Sequence, residues 1–160
     1  TQRLTKRVHF SKTLRDELEG LCKKSEITYR TLKRVVNTRW NTYGTMFFSI
    51  MHVLPALKRL IRNHKDLPSF EADEWVLVKQ LEELLRPFVY LTERFSSKKR
   101  PLIHEVIPFM DSINKKLENF MDDESKLPCV RFAARCGRNI LDKYYAKTDD
   151  SLVYRAAMSE

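Results

Sequence analysis

The sequence predicts a mainly α fold of about six helices with one short isolated strand. Three observations support this prediction. Only three glycines occur in 160 residues, apolar residues recur at spacings of three and four along most of the chain, and a β-branched run typical of a strand occurs at one place only. The composition, 42% hydrophobic and 32% charged, is that of a folded globular protein.

The first helix is predicted over residues 11–24, with Ser11 or Thr13 as its N-cap. Its apolar face consists of Leu14, Leu18, Leu21 and Cys22. A strand is then predicted over Leu32–Val36. Because a single strand is not stable alone, this segment either pairs with chain outside the sequence or acts as an extended connector. We therefore expect the sequence to be a piece of a longer protein.

Proline positions divide the rest of the chain. A helix from residue 41 to about residue 63, with Asn41 as a candidate N-cap, should be kinked at Pro55 because proline removes a helical hydrogen bond. The next helix, Trp75 to Phe95, should bend or break at Pro87. The remaining predictions are helices over 103–121 and 128–144, a turn over 147–150, and a last helix after residue 150.

Positive charge is concentrated in the first part of the chain. Residues 1–65 contain 15 Lys/Arg and 4 Asp/Glu, a balance of +11, whereas residues 66–160 contain 15 and 17, a balance of −2. This asymmetry fits an anionic partner for the first part, and nucleic acid is the usual candidate. A solvated basic face is the alternative, and charge alone does not separate the two.

Signatures of catalysis and metal binding are absent from the sequence. No phosphate-binding glycine loop, nucleophile elbow or HExxH motif occurs, and the three cysteines lack the spacing of a zinc site. The acidic run 122–124 fits a helix end facing water better than a metal site, which needs carboxylates from separate elements. No apolar run approaches the roughly 18–20 residues of a membrane span. From its own residues alone, we expect that the chain is not a complete enzyme.

The pair Arg39-Trp40 is the exception. An indole can stack on an unpaired base, and a guanidinium can clamp a phosphate. Lys33, Arg34 and Asn41 could add contacts to a nucleic-acid backbone. The alternative is that Trp40 anchors the core where strand meets helix and Arg39 is simply exposed.

A family resemblance favours the first interpretation. The segment Thr38-Arg39-Trp40-Asn41-Thr42-Tyr43, followed by Met46, is similar to the TRWNSTY…M segment of hAT-superfamily (hobo and Activator) transposases. Further segments resemble the same family in the same order. These are Ser11 to Cys22, Leu32-Lys33, Leu84 to Phe88 with Thr92 and Ser96, Leu102 to Pro108, and Asp142 to Tyr145 with Tyr154, Ala156 and Ala157.

The resemblance implies an architecture and a partner. Residues 1–40 would end the first segment of an RNase H-like core, and residues 41–160 would form an incomplete helical insertion domain. DNA would be the partner, in a nuclear, homo-oligomeric parent transposase with no membrane association. The parent would use Mg²⁺ in a catalytic core that is missing here, so the resemblance assigns no cofactor, metal ligand or catalytic residue to this chain.

The resemblance also implies a role for Trp40. In the family, the equivalent tryptophan lies near the active site and helps to handle a flipped base during hairpin formation. The predicted DNA-binding residues are Arg39, Trp40, Asn41, Lys33 and Arg34. The expected function is that of a fragment of a cut-and-paste transposase, or of a domesticated derivative, that contacts DNA near the transposon end. A helical protein-interaction module with a basic N-terminal half and no nucleic-acid role is the alternative.

Overall fold

The structure, a computed structural model, describes residues 1–39, 41–96 and 103–149. Within these ranges the chain forms seven α-helices and no strand, which confirms the mainly α class. The helices are α1 (Gln2–Phe10), α2 (Lys12–Lys24), α3 (Asn41–His52), α4 (Leu54–Asn63), α5 (Ala72–Phe95), α6 (Ile103–Asp122) and α7 (Pro128–Asp149).

The chain divides into two compact units, Thr1–Glu82 and Glu83–Glu160. The division falls within α5. The boundary that the resemblance implies at residue 41 lies inside the first unit, and the assignment of residues 1–40 and 41–160 to a core and an insertion stays a prediction.

The first unit is built around α2 and α4, which pack against each other, while α1 contacts α2 and α3 contacts α4. The side chains at its centre are fully buried, and each contributes about 1.5–3 kcal/mol by leaving water. They include Leu4, Leu18, Ile50, Val53, Leu57 and Leu60. Burial of this apolar set holds the four helices together.

Helix α1 was not predicted from the sequence. Its buried face consists of Leu4, Thr5 and Val8, so only two apolar residues mark it, which is too few for a periodic signal. The Thr5 hydroxyl donates to the Gln2 carbonyl at 3.1 Å, and this bond lets a polar side chain lie inside the core.

Helix α2 (Lys12–Lys24) agrees with the helix predicted over residues 11–24. The predicted cap Ser11 is confirmed, because its hydroxyl oxygen accepts a hydrogen bond from the Leu14 backbone N–H at 3.3 Å. At the other end the Ile27 N–H donates to the Cys22 carbonyl at 3.0 Å, and Glu26 adopts the left-handed conformation with φ 55°. This is a Schellman termination, in which glycine is the usual residue.

Pro55 divides the helix predicted over 41–63 into two. Helix α3 ends at His52, Val53 is the N-cap of α4, and Pro55 lies in the first turn of α4. Proline is tolerated there, since the first N–H groups of a helix have no intrahelical partner.

The strand predicted over Leu32–Val36 does not form. Residues 27–36 are irregular, and no other strand occurs in the described ranges with which they could pair. The segment is instead held to the core by the Leu32 side chain, which is 1% exposed. In this structure the segment is therefore a connector, the second of the two possibilities given for it in the sequence analysis.

In the second unit, α6 packs along α7. The unit also includes the last part of α5, from Glu83 to Phe95. Its buried residues include Leu84, Leu91, Ile113, Leu117, Phe120, Val130 and Ala134. Helix α5 continues through Pro87 without a break. Helix α7 reaches Asp149, so residues 147–149 are helical rather than the predicted turn, and the helix predicted after residue 150 lies outside the described residues.

An ion pair joins the end of α5 to the start of α6. The Arg94 guanidinium donates two hydrogen bonds to the Glu105 carboxylate, at 2.6 and 2.7 Å, and this carboxylate raises the pKa of Arg94. The same guanidinium lies 5.4 Å from the centroid of the Phe109 ring.

Candidate nucleic-acid interface

The basic segment, residues 27–39, connects α2 to α3 and is held to the helices through its backbone. The Lys33 N–H donates to the Ser49 hydroxyl at 2.9 Å. The Thr28 carbonyl oxygen lies 2.9 Å from Nε2 of His52. Both partners are on α3, and between them the buried Leu32 side chain enters the core. The path of the segment is therefore defined although it has no regular secondary structure.

The cationic side chains of the basic segment point into solvent. Lys33, Arg34 and Arg39 are exposed. Asn41 is half-buried and is the first residue of α3 rather than its cap. Trp40 lies outside the described residues. Three of the five predicted site residues are thus exposed on one short stretch of chain.

The hydroxyl of Thr42 closes the turn before α3. It accepts a hydrogen bond from the Val36 N–H at 3.0 Å and donates to the Arg39 carbonyl oxygen at 2.7 Å. The Arg39 N–H donates to the Val36 carbonyl at 2.9 Å. The backbone of Arg39 is therefore anchored while its guanidinium stays exposed. Serine at this position would offer the same hydroxyl for both hydrogen bonds.

Two arginines of the basic segment stack on exposed aromatic rings. The Arg30 guanidinium carbon lies 5.8 Å from the centroid of Phe48, and that of Arg34 lies 5.8 Å from the centroid of Phe10. These rings are 42% and 62% exposed. Sequence analysis missed both aromatics; the only signal was that Phe48 lies off the apolar stripe of its helix. Stacking of this kind orders a guanidinium without neutralising it.

A cavity of about 420 Å³ opens between α1 and the basic segment. Two cations, Lys6 and Arg34, line it together with the polar side chains of Gln2 and Asn37. Amide and cationic groups in one concave surface suit phosphate oxygens. Lys6 is thus part of the candidate interface. The sequence did not indicate this residue, because Lys6 lies far along the chain from residues 33–41.

The charge around this surface is uniformly positive in sequence. Residues 27–65 contain eight Lys/Arg and no Asp/Glu. Among the residues that the structure describes, no carboxylate pairs with Arg30, Lys33, Arg34 or Arg39. An unneutralised cluster of this kind attracts polyanions and releases their counterions on binding.

Acidic, histidine and cysteine side chains of the described residues form no metal site beside this surface. In residues 1–39, 41–96 and 103–149, no group of three His, Cys, Asp or Glu side chains is placed to hold a metal ion. Within the acidic run 122–124, Asp123 accepts a hydrogen bond from the Ser125 N–H at 2.9 Å, and hydrogen bonding from Ser125 lowers the pKa of Asp123. The Asp123 carboxylate therefore stabilises the turn that follows α6.

Comparisons of the chain with protein-family models, curated proteins and solved structures return no match. Among the helices of the described residues, none has the length and apolar character that a bilayer span requires.

Proposed function

We propose that this chain binds DNA through the basic segment and derives from an hAT-type cut-and-paste transposase or a domesticated descendant of one. The observation that carries the proposal is the row of exposed cations on a segment whose backbone is anchored to α3. Such a row binds phosphates with little loss of backbone freedom, since the chain is already ordered.

The proposed residues have different roles. Lys33 and Arg34 contact phosphates, and Arg34 does so beside Lys6 in the cavity. Arg39 clamps a phosphate bidentately or stacks on a base plane, and Asn41 adds a polar contact. Trp40 stacks on an unpaired base, a role that comes from the family resemblance alone.

The proposal assigns no chemistry to this chain. In the proposed parent, a nuclear homo-oligomer, the catalytic acids and their Mg²⁺ belong to the missing core. The contribution of this piece is contact with DNA near the transposon end.

Salt dependence tests the proposal. The affinity of the chain for a fluorescent duplex is measured by anisotropy between 50 and 200 mM salt. The slope of log Kd against log salt then gives the number of phosphate contacts, since each contact contributes about 0.9 to the slope. The triple variant Lys33→Gln/Arg34→Gln/Arg39→Gln should reduce that slope by roughly 2.7 if each cation contacts one phosphate.

A charge-matched variant serves as the control. Lys115→Gln/Lys116→Gln/Arg135→Gln removes three exposed cations of the second unit and leaves the same net charge. This control should change the slope by much less than the roughly 0.9 expected for the loss of one phosphate contact. If both triple variants weaken binding equally, the basic segment is not the interface and the proposal fails.

Trp40 needs a separate test in a full-length, active relative. Trp40→Ala should impair strand cleavage or hairpin formation there while the fold, followed by circular dichroism, is retained. Wild-type activity of that variant would refute the role assigned to the indole.

One observation favours a second candidate, a helical protein-interaction module. Helix α7 exposes Phe132, Ile140 and Tyr144, each more than half accessible, and their spacings of eight and four residues place them along one side of the helix. Saturable binding of a protein partner, with no binding of duplex or single-stranded DNA at low salt, would select this alternative.

A further inference from the structure

A second cavity, of about 490 Å³, lies in the first unit between α4 and the start of α5. It is separate from the basic segment and shares no lining residue with the cavity near α1. Its size lies within the range of small-molecule sites, roughly 300–1,000 Å³. Aromatic and cationic side chains line it together, which distinguishes it from an ordinary surface depression.

The aromatic wall consists of Phe70 and Trp75. Their ring centroids are 4.9 Å apart and their planes are inclined at 50°. Both side chains are half-buried. The rings are thus held by packing and still accessible from the cavity, the condition for a planar ligand to stack on them.

The cationic wall consists of Lys58 and Arg62, one turn apart on α4. The Lys58 ammonium lies 5.5 Å from the centroid of Trp75. Like charges at this spacing destabilise a helix, and α4 contains no acidic residue that would compensate. Within the described ranges, neither cation forms an ion pair. Their positive charge is therefore available to an anion.

The acidic residues that open α5 are engaged with its own backbone. The Glu74 carboxylate accepts a hydrogen bond from the Glu71 N–H, and the Asp73 carboxylate accepts one from the Glu74 N–H, both at 2.9 Å. None of these three residues lines the cavity. The charge of the lining is therefore positive.

We propose that this cavity binds one nucleotide unit. The base stacks on Trp75 and Phe70, and the phosphate lies between Lys58 and Arg62. The Ser69 hydroxyl, also in the lining, supplies a further polar contact. The inference goes beyond the proposed function because it concerns a second site, with a base-stacking surface, that depends on neither Arg39 nor Trp40. The nucleotide comes from a single strand or is free in solution.

Tryptophan fluorescence gives a direct readout in the full chain. In a Trp40→Phe background, Trp75 is the only tryptophan. It is titrated with a short oligothymidylate, with thymidine monophosphate and with an abasic strand of the same length. Stacking should quench Trp75 with the oligothymidylate, and the abasic strand should quench it far less. Quenching by the monophosphate at similar concentration identifies a free nucleotide as the ligand, whereas quenching by the strand alone identifies a nucleic acid.

Two charge-matched variants test the phosphate contacts. Lys58→Gln/Arg62→Gln removes the cationic wall, and Arg59→Gln/Lys65→Gln removes the same charge from nearby exposed positions outside the cavity. The first should weaken binding at least tenfold more than the second. Equal weakening would mean a general electrostatic effect and would overturn the proposal.

Substitution of Trp75 tests the stacking. Measured by anisotropy of a labelled strand, Trp75→Ala should weaken binding roughly 5- to 150-fold, and Trp75→Phe should restore most of it. If Trp75→Ala fails to fold, Trp75→Phe and the two charge-matched variants still test whether the cavity binds a nucleotide. Absence of quenching by both thymidine ligands, or equal quenching by the abasic strand, refutes the site. Failure of the basic segment is a distinct result, since it would abolish the effect of the triple variant and leave Trp75 quenching intact.

Discussion

The hydroxyl of Thr42 should stabilise the turn that presents Arg39. Thr42→Val keeps the shape of the side chain and removes the oxygen that bonds the Val36 N–H and the Arg39 carbonyl, at 3.0 and 2.7 Å. A hydrogen bond contributes about 0.5–1.5 kcal/mol net. Because this turn is solvent-accessible, water replaces part of that contribution, and we expect a total loss of about 1–2 kcal/mol.

The loss is measured by urea unfolding of the full chain, followed by circular dichroism. A change of this size should lower the melting temperature by roughly 2–8 °C in a chain of this length. Hydrogen exchange of the Val36 amide should accelerate as well, since that N–H loses its acceptor.

Two controls isolate the hydroxyl. Thr42→Ser retains it and should lie within about 0.5 kcal/mol of the parent. Thr45→Val removes a hydroxyl that only donates to the Thr42 carbonyl within the helix, at 3.1 Å, and should cost little. If Thr42→Val equals Thr42→Ser in stability and leaves Val36 exchange unchanged, the reasoning about this turn is wrong.

Glu17 and two helical glycines test the packing of the helices. Hydrogen bonds from Asn63 and His64 lower the pKa of Glu17, so its stabilisation is present above the ordinary glutamate pKa, about 4.3, and is lost as the pH falls through the lowered value. Glu17→Gln should therefore destabilise the chain at pH 7 and much less near pH 3, by urea unfolding; equal losses at both would contradict this. Gly20→Ala and Gly137→Ala should each raise the free energy of unfolding by about 0.5–1 kcal/mol, because the new Cβ meets nothing within 4 Å at Gly20 and only a side chain at 3.6 Å at Gly137. Destabilisation by either alanine would reveal a clash.

Local sequence was sufficient where a helix carries its own signals. The apolar face of α2 and its Ser11 cap, and the long stripe of α6, predicted those helices to within about two residues of the observed ends. The position at which Pro55 interrupts the helix was predicted correctly. The predicted kink was too small a change, since a new helix begins one residue before this proline.

Contacts between residues distant in sequence decided the rest. Residues 32–36 have strand propensity, yet strands require partners, and the Lys33 N–H of this segment donates instead to the Ser49 hydroxyl of α3. The rings beside Arg30 and Arg34, and the cavity that contains Lys6, arise only when α1 and α3 approach the segment.

By itself, the sequence determined that the chain is helical, that its first part is basic, and that one motif carries the chemistry suited to DNA contact. Helical periodicity and charge are local properties, and they can be read along the chain. Tertiary structure alone decided that Leu32 anchors a connector and that Trp75 lines a cavity. Burial depends on which surfaces meet, and this is determined by the packing of all the helices in the unit.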